Sequence, residues 1–365
     1  MRIVYHSFEG RYSDNPCVLY EALRAREPGH DHVWLVDPAH AAGGFPMGTS
    51  TVPYRSQEGV EALESADLVV ANTHTDLVWT KRPGAVYLQT WHGTPLKRIH
   101  FDVLWAPEGR LDRLSRDVAQ WDVLLSPNRI STERLRGAFA FSGEVLESGY
   151  PRNDVLSGPD RDAVRERVRA ELEIPPGVTA VLYTPTWRDD VVFSNGNRNF
   201  ALDLDVDAFI ARLGDDHILL LRLHYMLTGR LQAMKHPALR EVSFHPDVSE
   251  LYLAADVLVT DYSSTMFDFA VTGKPLLFYA YDLEDYGSRV RGFYFDLPSV
   301  APGPLVRSTR GLLEALADLP QVTAQYASRY AHFRDTFCHL DDGHASERVL
   351  DRVLERQAPR PGTAN

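Results

Sequence analysis

The sequence predicts an α/β protein built from two Rossmann-like, doubly wound parallel sheets. Three observations carry that expectation. The 365 residues exceed the size at which one hydrophobic core usually keeps growing, so two domains are expected. Short apolar runs alternate with amphipathic stretches from residue 3 onward, the pattern of βαβ units. The run Ile174-Pro175-Pro176-Gly177 stops a charged helical stretch and is followed at once by a new strand.

Taken in order, residues 3–5 read as the first strand. A polar loop carries Gly10, Ser13, Asp14, Asn15 and Pro16, and residues 18–25 have helical spacing. Strands over 32–36, 68–71, 86–89, 123–126 and 145–147 complete one doubly wound half, ending near Asp154. A charged helix over 161–173 leads to a strand over 179–183, which opens the second sheet. Strands over 218–223, 257–260 and 276–279 extend it, with helices over 248–254 and 266–271 between them. The predicted division is therefore 1–154, 155–340, a terminal helix over 341–356, and a disordered Pro-, Gly- and Ala-rich tail over 357–365. No internal repeat is visible.

Composition excludes several classes. A hydrophobic fraction of 44% with 24% charged residues is globular, not disordered, collagen-like or coiled-coil. No apolar run reaches the ~18 residues of a membrane helix, and the start lacks the apolar segment of a signal peptide, which predicts a cytoplasmic protein. Cys17 and Cys338 are the only cysteines and lie far apart, which gives neither a disulfide framework nor a cysteine zinc site. A net charge of −12 argues against non-specific nucleic-acid binding, so an anionic ligand needs local positive charge.

In open α/β sheets ligands bind beyond the carboxyl ends of strands, so the residues directly after each apolar run are the ones to read for chemistry. After residues 86–89 comes Thr90-Trp91-His92-Gly93-Thr94-Pro95, with His92 at the strand end, Gly93 allowing close backbone approach and Pro95 suited to a helix's first turn. After 179–183 comes Thr184-Pro185-Thr186-Trp187-Arg188, and after 218–223 comes His224. After 257–260 comes Asp261-Tyr262-Ser263-Ser264, where hydroxyls and free N–H groups at a helix start suit a phosphate. Singly, such a histidine reads as a hydrogen-bonded structural residue and such serines read as N-caps. Jointly, two histidines, Arg188 and a serine pair at strand ends of both halves ask for less coincidence. A neutral imidazole can take a proton from an attacking hydroxyl, while arginine and a helix N-terminus stabilise charge on a transferring phosphoryl group. Asp203, Asp205 and Asp207 mimic an Asp-x-Asp metal motif, but Asp207 sits where an N-cap is expected, so no metal site is read there.

These segments together resemble the CDP-glycerol glycerophosphotransferase family of teichoic-acid primases and polymerases. The resemblance is carried by Ser7-Phe8-Glu9-Gly10 with Ser13-Asp14-Asn15-Pro16, by Gln89 through Lys97, by Gly149-Tyr150-Pro151-Arg152-Asn153-Asp154, by Tyr183 through Arg188, by Thr260 through Asp268, and by the closing Asp342-Gly343-His344-Ala345-Ser346-Glu347-Arg348. It implies a GT-B type fold, with the acceptor received by the N-terminal half and the cytidine nucleotide bound by the C-terminal half. It implies attack of an acceptor hydroxyl on the β-phosphate of CDP-glycerol, releasing CMP, with no cofactor. His92 is then the general base and His224 the second catalytic histidine, at the diphosphate. Thr94, Arg152, Thr186, Arg188, Asp261, Ser263 and Ser264 fall at substrate-binding positions, and Ser13, Asp14 and Asn15 lie on the acceptor side. His224 departs from many relatives because Tyr225, not proline, follows it.

The implied partners are a CDP-glycerol or CDP-ribitol donor and a prenyl-diphosphate-linked acceptor at the inner membrane face, where the protein would be peripheral. An arginine-rich stretch with Arg110, Arg113 and Arg116 beside Leu111, Leu114 and Trp121 could touch lipid headgroups, although a solvated amphipathic helix is the preferred reading. The start directly at the first strand fits single addition better than processive polymerisation. Two competing readings remain: a nucleotide-sugar glycosyltransferase of the same fold, and a silent subunit, which would have no need of a poised base at His92.

Overall fold

A computed structural model describes residues 1–40, 44–103, 109–186, 202–223, 236–285 and 292–357. The chain divides into two units. The first comprises Met1–Thr94, His100–Asp154 and Leu340–Asn365, and the second Pro95–Ile99 and Val155–His339.

The first unit is built on seven parallel strands: β1 (Arg2–His6), β2 (Asp31–Val36), β3 (Thr51–Pro53), β4 (Leu68–Ala71), β5 (Val86–Gln89), β6 (Val123–Ser126) and β7 (Glu144–Glu147). Their order is β3-β2-β1-β4-β5-β6-β7, so the winding reverses between β1 and β4. The central strands β4, β5 and β6 are buried at every position, as expected where helices cover both faces. Tyr5, Trp34, Leu68, Val70, Leu88, Val123 and Leu125 line one face. Leu19, Tyr20 and Leu23 of the helix Asp14–Arg26 join them, as do Val349, Leu350 and Val353 of the helix Ala345–Gln357. The last helix is thus part of the first unit. The Asp154 carboxylate accepts from the first two N–H groups of this helix, Ala345 and Ser346, each at 2.8 Å, which satisfies donors that have no partner within a helix.

The second unit repeats the plan with six parallel strands: β8 (Thr179–Thr184), β9 (His217–Leu221), β10 (Leu239–Glu241), β11 (Val257–Thr260), β12 (Leu276–Tyr279) and β13 (Leu305–Val306). Their order is β10-β9-β8-β11-β12-β13, and the winding reverses between β8 and β11. The period of two is visible in its core. Ala180, Leu182, Ile218, Leu220, Leu258, Leu276 and Phe278 pack on one face, while Val181, Tyr183, Leu219, Leu221, Val257, Val259, Leu277 and Tyr279 pack on the other. Pro95–Ile99 joins this unit through an antiparallel bridge from Lys97 to Phe293 and a bond from Tyr294 N to the Leu96 carbonyl at 2.9 Å.

Several local expectations change. Asp14, Asn15 and Pro16 stand in the first turn of a helix, not in a loop. Pro95 starts no helix: Lys97 bridges to Phe293 and Leu96 is buried in the second unit's core. Asp205, not Asp207, caps the helix Val206–Leu213, its side chain accepting from Ala208 N at 2.9 Å. The helices Thr309–Ala317 and Leu319–Phe337 were not anticipated. The second of them buries Phe333 and Phe337 against Phe267, at ring separations of 5.4 and 4.9 Å.

Candidate functional site

Each sheet offers a crevice where its winding reverses, and the polar residues that follow the strands there are the ones to examine. In the first unit the reversal lies between β1 and β4. Ser7 and Phe8 follow β1, Asn72 follows β4, and Trp91 and His92 lie just past the neighbouring β5.

His92 is partly buried. Its Nδ1 lies 2.6 Å from the backbone carbonyl oxygen of Asn72. A carbonyl only accepts, so Nδ1 carries the proton and Nε2 presents a lone pair. Among the described residues Nε2 has no hydrogen-bond partner. The ring touches Trp91 at 3.9 Å and Phe8 at 5.1 Å between centroids. Burial lowers its pKa from 6.5 to about 4; Arg152 and His74 add to the depression, while the Asn72 carbonyl and Asp14 oppose it. The imidazole is therefore neutral at pH 7 and able to accept a proton.

A rigid frame holds the Trp91-His92 backbone. Asn15, fully buried, donates from Nδ2 to the Trp91 carbonyl at 3.0 Å and accepts from Arg152 N at 3.1 Å. The Arg152 guanidinium donates to Asp14 Oδ2 at 2.6 Å and to the His92 carbonyl at 2.9 Å, and lies 5.0 Å from the Tyr150 ring. Asp14 and Arg152 side chains are only 8% and 6% exposed. Phe8, Glu9, Asp14 and Trp91 all adopt positive φ, at 40°, 62°, 63° and 54°. Such backbone is costly for non-glycine residues and concentrates where a site must be held in one geometry.

The structure thus brings Ser13, Asp14, Asn15, His92 and Arg152 together in one unit. Ser13 Oγ meets Ser7 Oγ at 3.1 Å. Asn15 and Arg152 hold the loop that carries His92, and buried Thr94 accepts from Asn128 Nδ2 at 3.3 Å. Sequence reasoning missed Asn72 and overlooked Ser7 as a partner. The rule that singled out His92, reading the residue after each buried strand, also reaches Asn72.

In the second unit the reversal lies between β8 and β11. Thr184 and Thr260 hydroxyls meet there at 3.0 Å, with Thr265 Oγ1 3.2 Å from Thr184 Oγ1. The buried Asp261 carboxylate accepts from Thr186 N at 2.9 Å and from Tyr262 N at 2.6 Å. It therefore organises the two loops that follow β8 and β11. Ser263 Oγ accepts from Thr265 N at 3.3 Å, and Ser264 occupies the N-cap position without a side-chain cap bond, leaving its partly exposed hydroxyl open among the described residues. His224 and Arg188 lie outside the described residues.

Residues 1–355 match the family CDP-Glycerol:Poly(glycerophosphate) glycerophosphotransferase. The chain belongs to this family. Among curated glycerophosphotransferase relatives it is 37% identical over 365 residues to the teichoic acid glycerol-phosphate transferase of Staphylococcus aureus, covering 97% of this chain and 92% of that one. It is 36% identical over 367 residues to the teichoic acid poly(glycerol phosphate) polymerase of Bacillus subtilis, covering 97% of this chain but 49% of that one. The chain thus spans about half the length of that polymerase. The solved structure of the wall teichoic acid polymerase TagF matches with a TM-score of 0.89 at 37% identity, covering 97% of this chain and 89% of that chain. The two parallel Rossmann-like sheets are accordingly of the GT-B type.

Proposed function

We propose that this chain transfers a glycerol-phosphate, or related polyol-phosphate, unit from CDP-glycerol to an acceptor hydroxyl in the synthesis of teichoic acid or a related surface polymer. The observation that carries the reading is His92, a neutral imidazole at a strand end with Nδ1 committed to a carbonyl and Nε2 open. In the proposed reaction Nε2 takes the acceptor hydroxyl proton while the oxygen attacks the β-phosphorus. The bond from that phosphorus to the bridging oxygen breaks, CMP leaves with the electron pair, and a phosphodiester forms. The reading assigns the 1–154 half to the acceptor and the 155–340 half to the nucleotide. Thr186, Ser263 and Ser264 then turn their hydroxyls toward phosphate oxygens, with His224 and Arg188 at the diphosphate and Asp261 holding the loops.

We further place the acceptor as a prenyl-diphosphate-linked saccharide at the inner membrane face. The helix Arg110–Val118 supports peripheral contact: Leu114 and Val118 face inward, while Arg110, Arg113 and Arg116 remain exposed. No helix among the described residues is long and apolar enough to cross a membrane.

The test is CMP release from CDP-glycerol and CDP-ribitol, with and without a lipid-linked glycerol-phosphate acceptor. Acceptor-dependent release is expected and identifies the polyol. Release of UDP from UDP-sugars, with neither CDP-polyol consumed, would transfer the assignment to a glycosyltransferase. His92→Ala should abolish turnover and leave donor affinity intact.

A further inference from the structure

Asn72 is fully buried directly after β4, and both its backbone and its side chain are engaged around His92. Its N–H donates to the His6 carbonyl at 3.2 Å. Its carbonyl accepts from His92 Nδ1 at 2.6 Å. Its side-chain Nδ2 bonds Ser7 Oγ at 3.0 Å, and its Oδ1 accepts from Phe8 N at 3.1 Å. The last bond fixes the amide orientation, since only the oxygen can accept from an N–H. The side chain therefore closes the positive-φ turn at Phe8 and Glu9, and that turn sets the Phe8 ring against His92. One residue thus fixes the tautomer of the imidazole through its backbone and the wall beside it through its side chain.

We propose that Asn72 is the positioning residue for His92, holding the ring with Nδ1 protonated and Nε2 aimed outward as the base. The proposal rests on the reading of His92 as the general base. Metal-bound and triad histidines are oriented in the same way, through whatever accepts from the nitrogen that does no chemistry. Here the acceptor is a peptide carbonyl, so it supplies direction without a full negative charge. The charged or titratable groups that act on the ring are Asp14, Arg152 and His74; Asn72→Ala alters none of them, whereas Asn72→Asp adds a carboxylate nearby.

The experiment uses the full chain with Asn72→Ala and Asn72→Asp, each made alone and combined with His92→Ala. Steady-state CMP release is read together with histidine-selective 15N spectra. In the unsubstituted chain the His92 signals should report a protonated Nδ1 and a bare Nε2. Asn72→Ala keeps the peptide carbonyl but removes the side-chain bonds to Ser7 and Phe8 that hold it in place, so it should loosen the Nδ1–carbonyl bond, partly mix the tautomers and lower kcat by about 10- to 100-fold, with donor KM within about 2-fold. The same substitution should cost nothing further beside His92→Ala. Asn72→Asp, which keeps acceptors for the Phe8 N–H and the Ser7 hydroxyl, should restore the tautomer and most of the rate. If Asn72→Ala does not fold, Asn72→Asp still decides the matter. A wild-type tautomer and rate in that variant agree with positioning through the loop; a mixed tautomer in a folded Asn72→Asp protein overturns it. A bare Nδ1 in the unsubstituted chain, or a wild-type rate in Asn72→Ala, also overturns it. Turnover retained in His92→Ala would instead remove the base assignment and leave the tautomer spectra to judge Asn72 on their own.

Discussion

Replacing Asp14 tests the frame around His92 most sharply, because two physical effects at that residue oppose each other. Its carboxylate is paired with Arg152 at 2.6 Å, and both side chains are nearly inaccessible. Removing one partner of a buried pair typically costs about 3 to 5 kcal/mol, since the remaining charge is left uncompensated. Arg152 keeps the His92 carbonyl and the Tyr150 ring as partners, which puts the loss near the lower end, at about 3 kcal/mol. The second effect is backbone. At φ +63° alanine carries a penalty of roughly 1 kcal/mol that glycine does not. Aspartate in the parent already carries that penalty, so Asp14→Ala should lose about 3 kcal/mol and Asp14→Gly, which relieves it, about 2, the reverse of the usual order in a helix. Urea unfolding followed by tryptophan fluorescence suits the measurement, because Trp34, Trp79, Trp91 and Trp121 all belong to the first unit. An Asp14→Ala variant within 1 kcal/mol of the parent, or one more stable than Asp14→Gly, would refute the reasoning.

Acid should destabilise the first unit well above ordinary carboxylate titration. Burial holds His6 near pKa 3 and His92 near 4, both below the unfolded value of 6.5, so the unfolded chain binds protons first as pH falls. Stability is then full above pH 6.5 and declines toward the folded values, by up to about 5 kcal/mol for His6 and about 3 for His92; urea midpoints that match at pH 7 and pH 4.5 would count against it. For the same reason the kcat/KM profile should stay flat through pH 6.5 and turn down only toward pH 4, whereas an inflection near 6.5 would mark a solvated base. Asp154→Ala should cost about 1 to 2 kcal/mol by uncapping the helix Ala345–Gln357, with Asp154→Asn recovering part of it in the same unfolding assay. Asp261→Ala should free the loops after β8 and β11 and weaken CDP-glycerol binding by about 1 to 3 kcal/mol in a calorimetric titration; unchanged affinity would place the donor elsewhere.

The parts of the fold that were legible are those where burial alone writes the sequence. Strands 68–71, 86–89, 123–126, 257–260 and 276–279 have the boundaries expected of them, because each is a short run buried at every position. The strands that were missed, β3, β10 and β13, lie at sheet edges and are two or three residues long, so they contain no apolar run to read. The helix Leu319–Phe337 buries only Phe333 and Phe337 among its 19 residues, which dilutes the helical period below recognition. At the site, His92 and Asp261 stood out by their place after strands. Asn72 did not, because an asparagine after a strand is also ordinary turn chemistry and its contacts to Ser7 and Phe8 span 65 and 64 residues.

The two reversal points use polar residues for opposite purposes, and that contrast gives each unit its part in the proposed reaction. Beyond β8 and β11 the Asp261 carboxylate is occupied by backbone N–H groups, which fixes loop geometry. What those loops leave open is a hydroxyl, Ser264, which suits phosphate oxygens. Beyond β1, β4 and β5 the arrangement is inverted. There the carboxylate, the guanidinium and two asparagines are all engaged with the chain, and among the described residues Nε2 of His92 keeps an open lone pair. In the proposed reaction the open hydroxyl of the one unit would face phosphate oxygens and the desolvated imidazole of the other would take the proton of the attacking hydroxyl.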